Sequence, residues 1–186
     1  MEPVAVLMNE HRTIERVLDA VERAAAHLAR GGSVRPAFFA EAIAFLKGFA
    51  DGRHHHKEEE LLFPALVDAG LPREAGPVAV MLDEHVHGRT LIAAMADGAR
   101  RLADGDAGAA RALAEASQAY IELLRDHIMK EDHVLFPMAA RMVTGAAATT
   151  LAADFSRAQA DEAVAELRDR FAVLADDLAR EAAALG

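Results

Sequence analysis

The chain has 186 residues, 53% of them apolar, with 30 acidic against 20 basic side chains and a formal charge of −10. That length fits one domain with a sizeable core, and the acidity disfavours nucleic acid and anionic membrane surfaces as partners. There is no cysteine, which excludes disulfides, thiolate zinc sites, iron–sulfur clusters and cysteine nucleophiles.

A first apolar run, about Val4 to Arg30, places Leu7, Met8, Ile14, Leu18 and Val21 at the spacing of three and four that marks one helix face. Gly31-Gly32-Ser33 ends it, and Pro36 suits the first turn of a second helix reaching about Val67. A third run spans about Pro77 to Leu102 and a fourth about Ala107 to Met142. A fifth, from about Thr150 to Leu185, alternates apolar stripes with charge. Period-two alternation is all but absent. The expected fold is all-α: an antiparallel up-down four-helix bundle over residues 1–145. Residues 146–186 are expected to add one C-terminal helix that packs on the bundle or forms a homodimer contact. No apolar run nears the roughly 20 residues of a membrane span, and Met1-Glu2-Pro3 lacks a secretory pattern. The expected location is therefore the cytoplasm.

The nine histidines are unevenly placed. Glu10-His11 in the first helix recurs as Glu84-His85 in the third. His54-His55-His56-Lys57-Glu58-Glu59-Glu60-Leu61-Leu62-Phe63-Pro64 in the second aligns without gaps on His127-Ile128-Met129-Lys130-Glu131-Asp132-His133-Val134-Leu135-Phe136-Pro137 in the fourth. The chain is thus a duplicated helix pair. The proline in each long helix is expected to kink it.

Residues four apart on an α-helix meet on one face, so His54 with Glu58, and His127 with Glu131, can each aim an imidazole and a carboxylate at one point. In helical phase, these faces continue to Leu61 and Ala65, and to Val134 and Met138, and place the pairs on the core stripe. His11 and His85 fall in phase with apolar neighbours on the other two helices. A lone inward histidine is more often a hydrogen-bonded core residue, and a single HxxxE is weak. Six duplicated, phase-matched groups are a different matter, because burying them unpaired is costly and metal satisfies them. Imidazole with carboxylate suits iron, manganese or zinc. The expected ligands are His11, His54, His85 and His127 as terminal groups, with Glu58 and Glu131 bridging two ions. The second copy chooses the register in the triplet, so His55, His56, Glu59, Glu60 and His133 are expected at the flanks or in solvent.

This pattern of EH, HxxxEE-x-LFP, EH and HxxxE-x-x-LFP resembles the hemerythrin-like HHE cation-binding family over roughly residues 4 to 142. The resemblance implies a bundle holding a non-heme di-iron centre on the same six residues. It also implies a small ligand: O2, nitric oxide or peroxide, with roles in oxygen binding or oxidative stress. Oxygen-carrying members have a further histidine one turn after the third-helix ligand, where this chain has Arg89; the place after His11 holds Glu15. A centre short of one histidine is closer to members associated with nitric oxide, peroxide or iron–sulfur repair. Arg89 could pair with Glu15 or hydrogen-bond a bound species. Tyr120, the only tyrosine, lies two turns before His127 and is either a donor behind the ligands or a plain core residue. Whether the centre turns over nitric oxide or peroxide, binds O2 reversibly, or serves iron storage, delivery or sensing is open at this level, as is the electron donor.

Overall fold

The computed structural model describes residues 2–106, 108–160 and 162–185, apart from the side chains of Pro36 and 162–164. Met1 and Ala107, the expected starts of the first domain and of the fourth run, lie outside the described residues, as do Asp161 and Gly186. Among the described residues every regular element is helical. α1 runs Glu2–Ala29. The second rod is α2 (Pro36–Phe45), the π-helical turns π1 (Leu46–His55) and π2 (Glu58–Leu62), and α3 (Phe63–Asp68). α4 spans Gly76–Ala103; the fourth rod is α5 (Ala109–Lys130), π3 (Glu131–Leu135) and α6 (Phe136–Met142). α7 (Gly145–Ala160) and α8 (Glu162–Ala183) follow. The protein is an all-α four-helix bundle with an additional C-terminal helical segment. No helix among the described residues is long and apolar enough to cross a membrane.

The C-terminal segment is helical on both sides of Asp161, which lies outside the described residues. Leu151 and Phe155 of α7 bury against Leu7 and Phe136 at one end of the bundle. α8 then lies along α1, fixed by Arg16–Asp176 and by Arg35 forked onto Glu181. Phe171 of α8 presses on Gly48 so closely that a Cβ there would come within 2.4 Å of its ring. α4 and α5 also approach closely: a Cβ on Gly98 would meet the Leu113 backbone at 3.1 Å.

The prolines fall at one place in both copies, Pro64 beside the start of α3 and Pro137 beside the start of α6, each just after a π turn. A proline ring collides with the carbonyl four residues earlier, and widening the preceding turn to i→i+5 bonding moves that carbonyl aside. The widening also shifts the core stripe by one residue. Leu62, Phe63 and Leu66 are buried, as are Leu135, Phe136 and Ala139. The expected continuation through Val134 fails, and that residue is 48% exposed. Met8, expected on the first core stripe, is also exposed.

Two apolar clusters fill the bundle. One holds Ile14, Leu18, Phe38, Phe45, Met95, Tyr120 and their neighbours; the other, at the Leu-Phe-Pro end, holds Leu7, Phe63, Met81 and Phe136. Between them lies a wholly buried polar layer.

Candidate metal centre

That polar layer is built by four rods. α1 contributes His11, the π1–π2 segment contributes His54, His55 and Glu58, α4 contributes His85, and the α5–π3 junction contributes His127 and Glu131. All seven are buried. They form two groups whose candidate ligand atoms lie within 4.8 Å of one another: His11, His54, Glu58 and Glu131; and His55, Glu58, His85 and His127. Glu58 belongs to both. Its Oε1 lies 3.4 Å from His54 Nε2 and its Oε2 lies 3.6 Å from His85 Nε2. Glu131 Oε2 is likewise set between the groups, 3.2 Å from His11 Nε2 and 3.3 Å from His127 Nε2.

Behind each imidazole stands a carboxylate. His11 Nδ1 donates to Asp132 at 2.8 Å, His54 Nδ1 to Glu10 at 3.0 Å, His85 Nδ1 to Glu59 at 2.7 Å, and His127 Nδ1 to Glu84 at 2.9 Å. His55 Nδ1 reaches Asp51 at a longer 3.4 Å. A proton on Nδ1 leaves the Nε2 lone pair facing inward, the tautomer a metal ligand needs. The arrangement is duplicated: Lys57 caps Glu10 as Lys130 caps Glu84. Each glutamate of the repeated Glu-His pairs therefore orients not its neighbour but a histidine on the next rod.

The sequence-predicted six come together. His55 departs from expectation: it is 4% exposed, and its ring stacks on His85 with centroids 3.9 Å apart. In an α-helix, consecutive residues diverge by about 100° and could not share a target; wider π turns bring His54 and His55 inward together. Glu59 is half-buried behind His85, not a flank residue. His56, Glu60 and His133 are exposed, as expected.

Arg89 does not pair with Glu15. Its Nε meets Asp51 at 2.8 Å and its terminal nitrogen meets Glu59 at 2.6 Å, tying together the carboxylates behind His55 and His85. Glu15 stays on α1 and pairs with Arg12 at 3.0 Å, so it takes no place behind the ligands. Tyr120 is buried, and a small cavity connects it with His55, His85, His127 and Arg89.

Without a cation the layer is poorly satisfied. Both oxygens of Glu58 and of Glu131, and Nε2 of His11, His54 and His55, have no hydrogen-bond partner among the described residues. His85 Nε2 and His127 Nε2 face each other at 3.2 Å. Charge is redistributed to cope. Burial and the adjacent Glu131 push the Glu58 carboxyl well above the usual range. Burial acts the same way on Glu131, but His127 and His11 outweigh it and hold that carboxyl well down. Burial alone would lower His127, yet Glu131 and Glu84 hold it up at about 9. Burial and repulsion from His11 push His54 down to about 4. A divalent cation in each group answers all of these at once: it takes the inward lone pairs and neutralises both carboxylates. The donor set fits.

Fold and site together define a metal-binding four-helix bundle. Residues 2–139 match the hemerythrin HHE cation-binding domain, and the chain belongs to that family. Among curated proteins it is similar to an uncharacterized protein of Mycobacterium tuberculosis and to one of Mycobacterium bovis. Each is 28% identical over 131 residues, covering 70% of this chain and 51% of the relative. The chain thus spans about half the length of these relatives. No solved structure matches it.

Proposed function

We propose that the chain holds two iron ions and binds or processes one small ligand of the class O2, nitric oxide or peroxide. His11 and His54 would hold one ion and His55, His85 and His127 the other, with Glu58 and Glu131 shared between them. The observation that supports this most is the set of seven buried ligand atoms without hydrogen-bond partners, four on the Glu58 and Glu131 carboxylates and three on imidazoles oriented from behind. Bound iron would supply an electron-exchanging centre open to a small molecule.

The chain's own residues set the conditions. The five outer carboxylates fix the imidazole tautomers and raise their basicity. Lys57 and Lys130 balance Glu10 and Glu84, so that the negative charge at the centre stays on the shared carboxylates. Phe136 stacks on His11 at 5.5 Å and Phe63 on His85 at 5.8 Å, closing the Leu-Phe-Pro side to water.

A second reading, reversible O2 binding without turnover, is favoured by one observation. Arg89 takes the place of the carriers' further histidine, but His55 brings the inward set of histidines to five. Metal analysis of protein produced with iron supplied is expected to give two ions per chain. Optical spectra of the reduced, loaded protein with O2, nitric oxide and peroxide added in turn then choose between the readings. Rapid irreversible oxidation in air with turnover of nitric oxide or peroxide supports processing; a long-lived adduct released at low oxygen pressure supports the carrier. One ion or none would overturn the dinuclear reading.

A further inference from the structure

The outer side of α8 carries apolar surface that the bundle leaves uncovered. Leu167, Arg170, Val173, Leu174 and Asp177 recur at intervals of three and four and so share one strip of the helix. With Phe171 and with Ala44 of α2 they line a groove of about 680 Å³, which none of the seven residues of the polar layer touches. Leu167 is 36% exposed and Val173 60%. Phe171 is wedged against Phe45 at 5.8 Å and Phe49 at 6.0 Å, so the groove wall is part of the packed core and stands ready before anything binds.

The charges along the strip say what fits. On α8, Arg168 pairs with Asp169 and Arg180 with Asp177, whereas exposed Arg170 has no ion-pair partner among the described residues. Arg170 and Asp177 lie seven residues apart, two turns along the same strip, with Val173 and Leu174 midway between them. Such a strip is complementary to itself when reversed. About a two-fold axis between positions 173 and 174, an antiparallel second α8 sets Val173 of each copy against Leu174 of the other. The same operation sets Arg170 of each copy against Asp177 of the other. A parallel pairing would instead lay Arg170 on Arg170 and Asp177 on Asp177, and like charges so placed are repulsive.

We propose that this face of α8 binds a second copy of the chain, antiparallel and two-fold symmetric, with an apolar centre of Val173 and Leu174 closed on either side by an Arg170–Asp177 pair. The contact is isologous, one self-complementary patch used twice. Apolar burial at the centre supplies the affinity; the exposed ion pairs add little of it and fix the direction and register. From Leu167 to Asp177 the strip is only about 15 Å long, so the interface belongs with small, reversible ones. It is rooted in Phe171, whose ring presses on Gly48 of π1, and so backs onto the segment that carries His54 and His55.

Sedimentation equilibrium of the full chain tests this. Wild type is expected to shift from 19.9 kDa toward twice that mass as its concentration rises to about 100 μM, as a micromolar Kd requires. Arg170→Asp, which faces Asp177 with a like charge, and Asp177→Arg, which faces Arg170 with one, should each weaken association at least tenfold, about 1.4 kcal/mol. The double reversal should restore it to near the wild-type value, and Val173→Asp should abolish it. All four variants should melt as wild type does at a dilution where wild type is monomeric, because the altered side chains are exposed. A wild type still monomeric at about 100 μM refutes the interface, even if another protein covers the groove. Single reversals that leave association unchanged, or a double reversal no tighter than the single ones, refute it equally.

Discussion

Replacing Glu58 by methionine separates what the buried layer does for the fold from what it does for a metal. Methionine is close to glutamate in length and flexible enough to fill the same space. Glu58 is 0% exposed, and neither carboxyl oxygen has a hydrogen-bond partner among the described residues. Its carboxyl is pushed well above the usual range by burial and by Glu131, which disfavours the buried charge. What remains is an unsatisfied polar group, worth about 1–3 kcal/mol against the native state. The metal-free Glu58→Met protein should therefore be more stable than metal-free wild type by about 2 kcal/mol, raising Tm by roughly 4–8 °C for a domain of this size. Adding iron should reverse the order. Each ion bound at a hundredfold excess over its Kd stabilises wild type by about 2.7 kcal/mol, and the variant should gain little. Calorimetric melting of both proteins, with chelator and with iron, reads both effects. A metal-free variant that melts below metal-free wild type would refute the reasoning, because Glu58 would then be a net contributor to the fold.

Further expectations follow from the same layer. His55→Ala and His54→Ala should each lower the iron content measured per chain, whereas exposed His56→Ala should leave it unchanged; equal content in His55→Ala and wild type would remove His55 from the centre. Glu84→Gln, which weakens the hold on His127 Nδ1, should lower metal affinity by about 10–100-fold in a competition titration. In the metal-free protein, His127 titrates near 9 against about 6.5 unfolded, so the folded state binds the extra proton between those values. Its stabilisation is complete below pH 6.5 and fades as pH rises through 9; His127→Gln should flatten that limb of a Tm-against-pH curve. At pH 7.5 metal binding must expel that proton, visible in calorimetry as heat that depends on the buffer. Gly98→Ala should cost about 1–3 kcal/mol by thermal melting, because the Leu113 backbone cannot move aside.

The bundle and six inward side chains could be read from the sequence because two independent signals agree there. One is the three-four spacing on each helix, and the other is the offset that maps His54, Glu58 and the Leu-Phe-Pro triplet onto their partners. His55 escaped the same logic for a definite reason. Its counterpart is Ile128, so the duplication argued against it, and an α-helical period turns it away from His54. The backbone there is π-helical, and the period does not apply. Gly48 and Gly52, poor α-helix formers within that stretch, were the local signal that the rod need not be regular. The outer carboxylates were half legible. Glu10 and Glu84 repeat, as do Lys57 and Lys130, but only tertiary packing assigns each glutamate to a histidine on another rod. The pairing of Arg89 with Asp51 and Glu59 instead of Glu15 is of the same kind, since α1 and α4 place those side chains on different sides of the layer. The C-terminal segment offered periodicity without landmarks, and its place along α1 is set by tertiary contacts such as Arg16–Asp176 that no spacing rule detects.

The π turns have a consequence for how such a protein could have diverged from its own duplicate. Two copies of one helix pair, joined head to tail, begin as equals and would present two identical half-centres. Both copies keep a π turn beside the proline, but only the first extends it back over Leu46–His55. A longer wide-wound stretch in one copy breaks that equality without disturbing the bundle. One half-centre then has three histidines and the other two, drawn from a framework in which the Glu–His and Glu–Lys contacts are mirrored. Tandem repetition supplies the scaffold, and a local change of helical pitch in one repeat makes its two halves chemically distinct.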